Sequence, residues 1–293
     1  MPAPETTGSG GRTSNMRSAW LCRALDPRRL VSLPCKDSRC LVAISRYALS
    51  IAALLLVCAA SVEAAPRFKA VAFDYFGIFN PDSGIPEVAK ASPGKGVAFT
   101  KAWRGKQFEY GFLRSITDRH ADFFKVTEDA LVYTAEAMKL PLSADVRGRL
   151  LNAYLTLEPW PDSIAALRKL KAAGVRIITI ANFSDRMLRD NAERAGIVDV
   201  FDELLSTEVN GTYKPDPRAY ALGVQRLGLK KEEVAFAAFG GWDAYGAKSF
   251  GYPTYWVNRF NLPTEKLGIE ADATSTDIAG LLQFVLGEEA GPN

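Results

Sequence analysis

Asp74 stands at the end of a short apolar run, Ala70-Val71-Ala72-Phe73, and just before Tyr75-Phe76-Gly77. Such a run reads as a buried strand, and open parallel sheets carry ligands and chemistry at the carboxyl ends of their strands. The bland alternative is a turn aspartate that bonds its own backbone. Three later segments carry polar residues after a strand-like run or in a loop: Asn182 with Ser184, Lys214 in Tyr213-Lys214-Pro215-Asp216, and Asp243 in Gly240-Gly241-Trp242-Asp243. Two carboxylates with a lysine between them suit a nucleophilic carboxylate, a counter-charge and a second acid that handles water. Taken singly, each has a structural explanation: helix caps for Asp216 and Asp243, a surface position for Lys214. Their convergence on one edge favours chemistry.

The elements that position these residues follow from periodicity. Residues 175–181, 234–239 and 254–257 are apolar or β-branched and read as buried strands. Helical spacing covers 164–173, where Gly174 supplies the stop, and then 185–196, 218–227 and 243–250. Between 87 and 157 strand-like runs are almost absent. Four helices are expected there, at 97–113, 115–124, 127–138 and 143–154, with Thr127-Glu128-Asp129 and Ser143-Ala144-Asp145 as start signals. Pro159-Trp160-Pro161-Asp162 ends that stretch, and Asp162 is placed to cap the next helix. The pattern predicts an α/β, doubly wound, Rossmann-like parallel-sheet core with an inserted all-helical cap. The expected division is core at 65–84 and 160–293, cap at 85–159.

Residues 1–64 read differently. A basic stretch around Arg28, Arg29, Lys36, Arg39 and Arg46 precedes an apolar run from Tyr47 to Ala60 and the small-residue tail Ser61-Val62-Glu63-Ala64-Ala65. Basic flank, short apolar core and small-residue site describe a secretory signal peptide cleaved after Ala64. A periplasmic or secreted protein is expected, touching a membrane only through this leader. The leader holds 8 of the 36 basic residues and 4 of the 33 acidic ones, leaving 28 against 29 in the remainder. Nothing in that balance points to nucleic acid. All four cysteines (Cys22, Cys35, Cys40, Cys58) precede Ala64, and His120 is the sole histidine. Ser-His-Asp catalysis, thiolate chemistry and multi-histidine metal centres are therefore excluded from the remainder. His120 reads as a surface residue.

Several motifs resemble the type II L-2-haloacid dehalogenases of the haloacid dehalogenase superfamily. They are Phe73-Asp74-Tyr75-Phe76-Gly77, Trp103-Arg104-Gly105-Lys106-Gln107-Phe108, Thr127-Glu128-Asp129-Ala130-Leu131, Tyr213-Lys214-Pro215-Asp216 and Trp242-Asp243-Ala244-Tyr245-Gly246. The tail Gly251-Tyr252-Pro253-Thr254-Tyr255-Trp256-Val257-Asn258-Arg259 matches as well. The resemblance implies hydrolytic dehalogenation of short (S)-2-haloacids to 2-hydroxy acids through an aspartyl ester. It makes Asp74 the nucleophile, Lys214 its counter-charge and Asp243 the group that orients or deprotonates water. Arg104 and Asn182 would bind the departing halide, and Tyr220 belongs to the site. Phe76, Phe108, Phe123 and Trp242 would line an apolar pocket, whose dryness sharpens a carboxylate nucleophile. The implied partners are a 2-haloalkanoic acid and water, with no cofactor and no metal; a homodimer is left open.

Four positions depart from that pattern. Where the family carries threonine, serine, serine and asparagine, this chain has Ile78, Ala181, Ala238 and Gly240. Hydrogen bonds to charged groups contribute ~1.5–3 kcal/mol each, so losing two from the transition state slows turnover by roughly 10²–10⁴-fold. The backbone amides of Ala181 and Asn182 remain as expected donors for a substrate carboxylate. The runner-up is a catalytically impaired binding protein for small carboxylic acids. Phosphatase chemistry ranks last, because Phe76 stands where that branch needs a second aspartate.

Overall fold

The computed structural model describes residues 65–287; the leader reading, with its cleavage site after Ala64, falls on residues outside these. Five parallel strands form the central sheet: β1 (Ala70–Phe73), β4 (Arg176–Thr179), β5 (Val234–Ala238), β6 (Thr254–Val257) and β7 (Ala273–Ser275). Their spatial order is β4-β1-β5-β6-β7, with β1 in register with β4 on one side and β5 on the other.

Both faces of the sheet are buried, and the two-residue strand period sorts side chains between them. Val71, Phe73, Ala235 and Ala237 join one apolar cluster; Ala70, Ala72, Val234, Phe236 and Ala238 join the other. Burial of each larger apolar side chain contributes about 1.5–3 kcal/mol, in keeping with the lack of polar residues in β1 and β5.

After β1 come the four-residue helix α1 (Tyr75–Ile78) and the short strand β2 (Phe79–Asn80), followed by a 3₁₀ turn, Pro81–Gly84. Four helices follow: α2 (Ile85–Ala91), α3 (Gly96–Ile116), α4 (Phe123–Ala137) and α5 (Ala144–Ala153). The chain returns through β3 (Glu158–Pro159), antiparallel to β2, so a two-stranded neck joins this insertion to the sheet. Trp160 stitches the neck to α1, its amide donating to the Ile78 carbonyl and its indole to that of Phe76, both at 2.9 Å.

The expected helix at 115–124 does not form. The helix α3 runs on to Ile116, a turn follows, and α4 starts at Phe123, four residues before the expected signal at Thr127. Asp122 is the reason, because its carboxylate accepts from the amides of Phe124 and Lys125 and caps α4 there. Asp162, expected as a cap for α6 (Ser163–Ala172), makes no side-chain cap bond. Its carboxylate takes the Arg259 guanidinium at 2.6 Å and the Ile278 amide at 3.1 Å instead.

Four helices complete the layers: α7 (Asp185–Arg194), α8 (Pro217–Leu227), α9 (Gly241–Phe250) and α10 (Ala279–Leu286). Asp216 caps α8 as expected, accepting from Arg218 N at 2.8 Å. No helix among the described residues is long and apolar enough to cross a membrane.

Candidate active site

Asp74 extends β1 by one residue, its amide donating to the Ala237 carbonyl at 2.9 Å. It then caps α1. One carboxylate oxygen accepts from Phe76 N at 2.9 Å and the other from the Lys214 ammonium at 2.6 Å. The bland reading of a turn aspartate is therefore satisfied by one oxygen, and the lysine takes the other. Asp74 is 8% exposed, so its surroundings are dry yet reachable.

Lys214 is fully buried and bridges two carboxylates, with Asp243 at 2.8 Å on its far side. Burial pulls its pKa down, but Asp243 and Asp74 outweigh that and hold it above the usual lysine value. Asp243 does not cap α9. It lies in the first turn, accepts from Lys214 and takes the Tyr220 hydroxyl at 2.7 Å on its other oxygen. Burial, partly offset by Lys214 and reinforced by the charge of Asp74, pushes its pKa up to about 6. Gly246 leaves the room for that hydroxyl, because any side chain there would collide with the Tyr220 oxygen.

Asn182 is half-buried and grips the backbone of Lys214. Its Oδ1 accepts the Lys214 amide at 2.8 Å and the Thr207 hydroxyl at 3.2 Å, and its Nδ2 faces the Lys214 carbonyl at 3.4 Å. Sequence reasoning gave Asn182 a halide; the geometry adds the placing of the lysine. The insertion holds the same loop from the other side. Tyr213 donates its amide to Ser115 Oγ at 2.9 Å and its hydroxyl to the Ala121 carbonyl. Glu208 accepts from Phe123 N at the start of α4, and burial pushes its pKa up to about 7. Ser115 and Glu208 carried no signal by residue type or spacing, and Tyr213 entered only as a neighbour of Lys214 in its motif. His120 is exposed, as expected, and stacks on the Tyr213 ring.

The aromatic residues surround this polar row. Phe76 packs edge-on to Phe183, 5.1 Å between centroids, and against Phe239 at 5.7 Å. Phe108 reaches from α3 to the Trp242 indole at 4.6 Å, and Trp242 lies 6.0 Å from the Lys214 nitrogen. Phe123 packs on Phe183 and Tyr213, one layer removed from Asp74. Arg104 from α3 holds its guanidinium 6.0 Å from the Phe76 ring.

The structure places all four departures. Ile78 is wholly buried in the core, and Ala238 is wholly buried at the end of β5. The amide of Ala181 is not free for a substrate carboxylate; it donates to the Leu205 carbonyl at 3.2 Å, because the chain continues the sheet edge there. Asn182 N–H has no such partner among the described residues. At Gly240 the start of α9 has no side-chain cap, and a Cβ built there would lie 2.6 Å from Trp242 Nε1. Lys214 fills the space between Asp74 and Asp243, and among the described residues no cluster of three acidic, histidine or cysteine groups is placed to hold a metal ion.

A strand-end aspartate, a buried lysine from a later loop and a second aspartate under a helical insertion define a hydrolase site of covalent type. The family model for haloacid dehalogenase-like hydrolases matches residues 68–251, and the chain belongs to that family. Several dehalogenases are among the relatives it matches. It is 38% identical over 217 residues to an (S)-2-haloacid dehalogenase of Pseudomonas sp. (strain YL), covering 74% of this chain and 94% of that one. Its fold is similar to the crystal structure of the L-2-haloacid dehalogenase RSc1362, with TM-score 0.73 and 34% identity over 74% of this chain and 98% of the other. A Xanthobacter autotrophicus L-2-haloacid dehalogenase with chloropropionic acid covalently bound matches with TM-score 0.69 and 30% identity, over 74% and 98% of the two chains.

Proposed function

We propose that this protein hydrolyses the carbon–halogen bond of short (S)-2-haloacids in two steps, with the second step slowed. The observation that carries the reading is the Asp74–Lys214–Asp243 row, 2.6 and 2.8 Å across, with the Trp242 indole beside Lys214 and Phe108 packed on that indole. An Asp74 carboxylate oxygen attacks the halogen-bearing carbon from the side opposite the halide. The C–O bond forms as the carbon–halogen bond breaks, the halide leaves with the electron pair, and the carbon inverts. Water then adds to the aspartyl carbonyl carbon, and the ester C–O bond breaks to release the 2-hydroxy acid and regenerate the carboxylate. The released proton passes toward Asp243, whose raised pKa suits it to receive one. Lys214 steadies the charge on Asp74 before displacement and again when hydrolysis regenerates the carboxylate. Arg104, with the Nδ2 of Asn182, is assigned to the departing halide.

The experiment is halide release from (S)- and (R)-2-chloropropionate and fluoroacetate, with mass spectrometry of the peptide containing Asp74. Halide release from the (S)-acid with an adduct on Asp74, both absent in Asp74→Asn, is the expected result. No halide release and an unmodified Asp74 after long incubation would overturn the reading in favour of a binding protein.

The leader chemistry supports export, with cleavage after Ala64. The expected product in the native envelope fraction begins at Ala65, and an intact leader on cytoplasmic protein would refute this.

A further inference from the structure

Arg104 does not face the site as a free cation. Its Nη1 lies 2.5 Å from Oδ1 of Asp82, in the 3₁₀ turn that leaves the neck. Asn80 fixes that turn by accepting the Asp82 amide at 2.9 Å, which anchors the backbone from which the carboxylate projects. The two side chains keep 26% and 36% of their surface exposed, and a small solute can reach them. Only Nη1 of the guanidinium is engaged, leaving its other N–H groups open to an anion. Below it, Lys214 is already divided between Asp74 and Asp243. Around Phe76, then, two cations meet three carboxylates.

Close by, the buried hydroxyl of Tyr154 has no hydrogen-bond partner among the described residues, and the charges of both Arg104 and Asp82 act on it. An orphaned donor beside a pre-paired arginine is an arrangement that an arriving anion completes.

We propose that Asp82 is an internal competitor for the anion Arg104 binds, and so a specificity-determining residue that weakens the hold on a substrate carboxylate or a departing halide. This rests on the proposed assignment of Arg104 to anion binding. An incoming anion must share the guanidinium with Asp82 or displace it, and either way it meets a like charge. An uncharged substrate meets no such opposition. The same competition speeds release of the halide once it has formed.

The test compares the protein with Asp82→Asn, using (S)-2-chloropropionate, its neutral amide and bromide. Loss of the competing charge should tighten bromide binding in calorimetry by about fivefold, the upper end of what a partly exposed ion pair is worth. KM for the acid should fall similarly, and KM for the amide should stay unchanged. Weaker or unaltered bromide binding in Asp82→Asn would overturn the proposal and make Asp82 a support that orients Arg104. Asp82→Ser serves as the second variant, with circular dichroism confirming the fold of both. Bromide titration needs no turnover. It therefore reads the role of Asp82 separately from halide release and the Asp74 adduct, which decide the reaction itself.

Discussion

The indole of Trp242 occupies the space that a side chain at Gly240 would need, with Nε1 2.6 Å from where that Cβ would lie. The backbone at Gly240 is ordinary extended chain, so the indole alone keeps other residues out. Adding a methyl group there should force Trp242 off the Phe108 ring. Gly240→Ala is expected to cost about 1–3 kcal/mol, as overpacking does, read as a lowered denaturant midpoint. Pairing it with Trp242→Phe should recover most of the loss. A neutral single variant would show that the indole moves aside freely.

The second chemical step should be the slow one. In the proposed reaction displacement relies on Asp74, Arg104 and an apolar wall, whereas hydrolysis must place a water where Ala238 and Gly240 offer no side chain. Rapid-quench measurement should show about one halide per site in a burst, followed by slow turnover. Ala238→Ser alone should quicken the slow phase about tenfold, the worth of one hydrogen bond. Adding Gly240→Asn should help only if Trp242 is made smaller too. Steady turnover with no burst would place the slow step elsewhere.

The hydrolytic step should lose rate as acidity rises through about pH 6, where Asp243 takes up a proton. Tyr220 donates to the charged form of Asp243 at 2.7 Å and thereby holds its pKa down. Tyr220→Phe should move the acid limb to higher pH, and Asp243→Asn should remove it together with most of the turnover. A limb that stays put in Tyr220→Phe would uncouple the hydroxyl from this titration.

Glu208 makes stability depend on pH. Its folded pKa of about 7 lies above the ordinary glutamate value because of burial. The folded chain therefore holds a proton there that the unfolded chain has lost, and stability must fall as pH rises from about 4.5 through about 7. Melting temperatures measured from pH 5 to pH 8 should show this decline, and Glu208→Gln should flatten it. A variant with an unchanged profile would assign the slope to another group.

How much of this was legible in the chain depended on whether a feature is local. Asp74, Lys214 and Asp243 could be found because each follows a strand or sits in a loop at the same edge, and topology brings such ends together. The start of α4 was misplaced because Thr127-Glu128-Asp129 imitates a cap, while Asp122 makes the bonds. Strand β7 and helix α10 were missed because three residues and eight leave little periodic signal. The pairings Tyr213–Ser115 and Glu208–Phe123 cross between the core and the insertion, and Arg104–Asp82 ties α3 back to the turn at the neck. No spacing rule reaches that far. Trp242 was expected to line a pocket, but its place beside Gly240 depends on a side-chain rotation, which sequence does not encode locally.

The two-stranded neck gives the insertion a single pair of splice points. Asn80 stands directly opposite Glu158 in the antiparallel pair, so the chain leaves and re-enters the sheet domain at one point. A short reverse turn between those residues would close the circuit, at the cost of the apolar cluster that the insertion shares with β1 and α1 and of the partners of Tyr213 and Glu208. The same two splice points would accept a helical insertion from another protein, leaving the strand-end carboxylates as a chassis beneath an exchangeable lid.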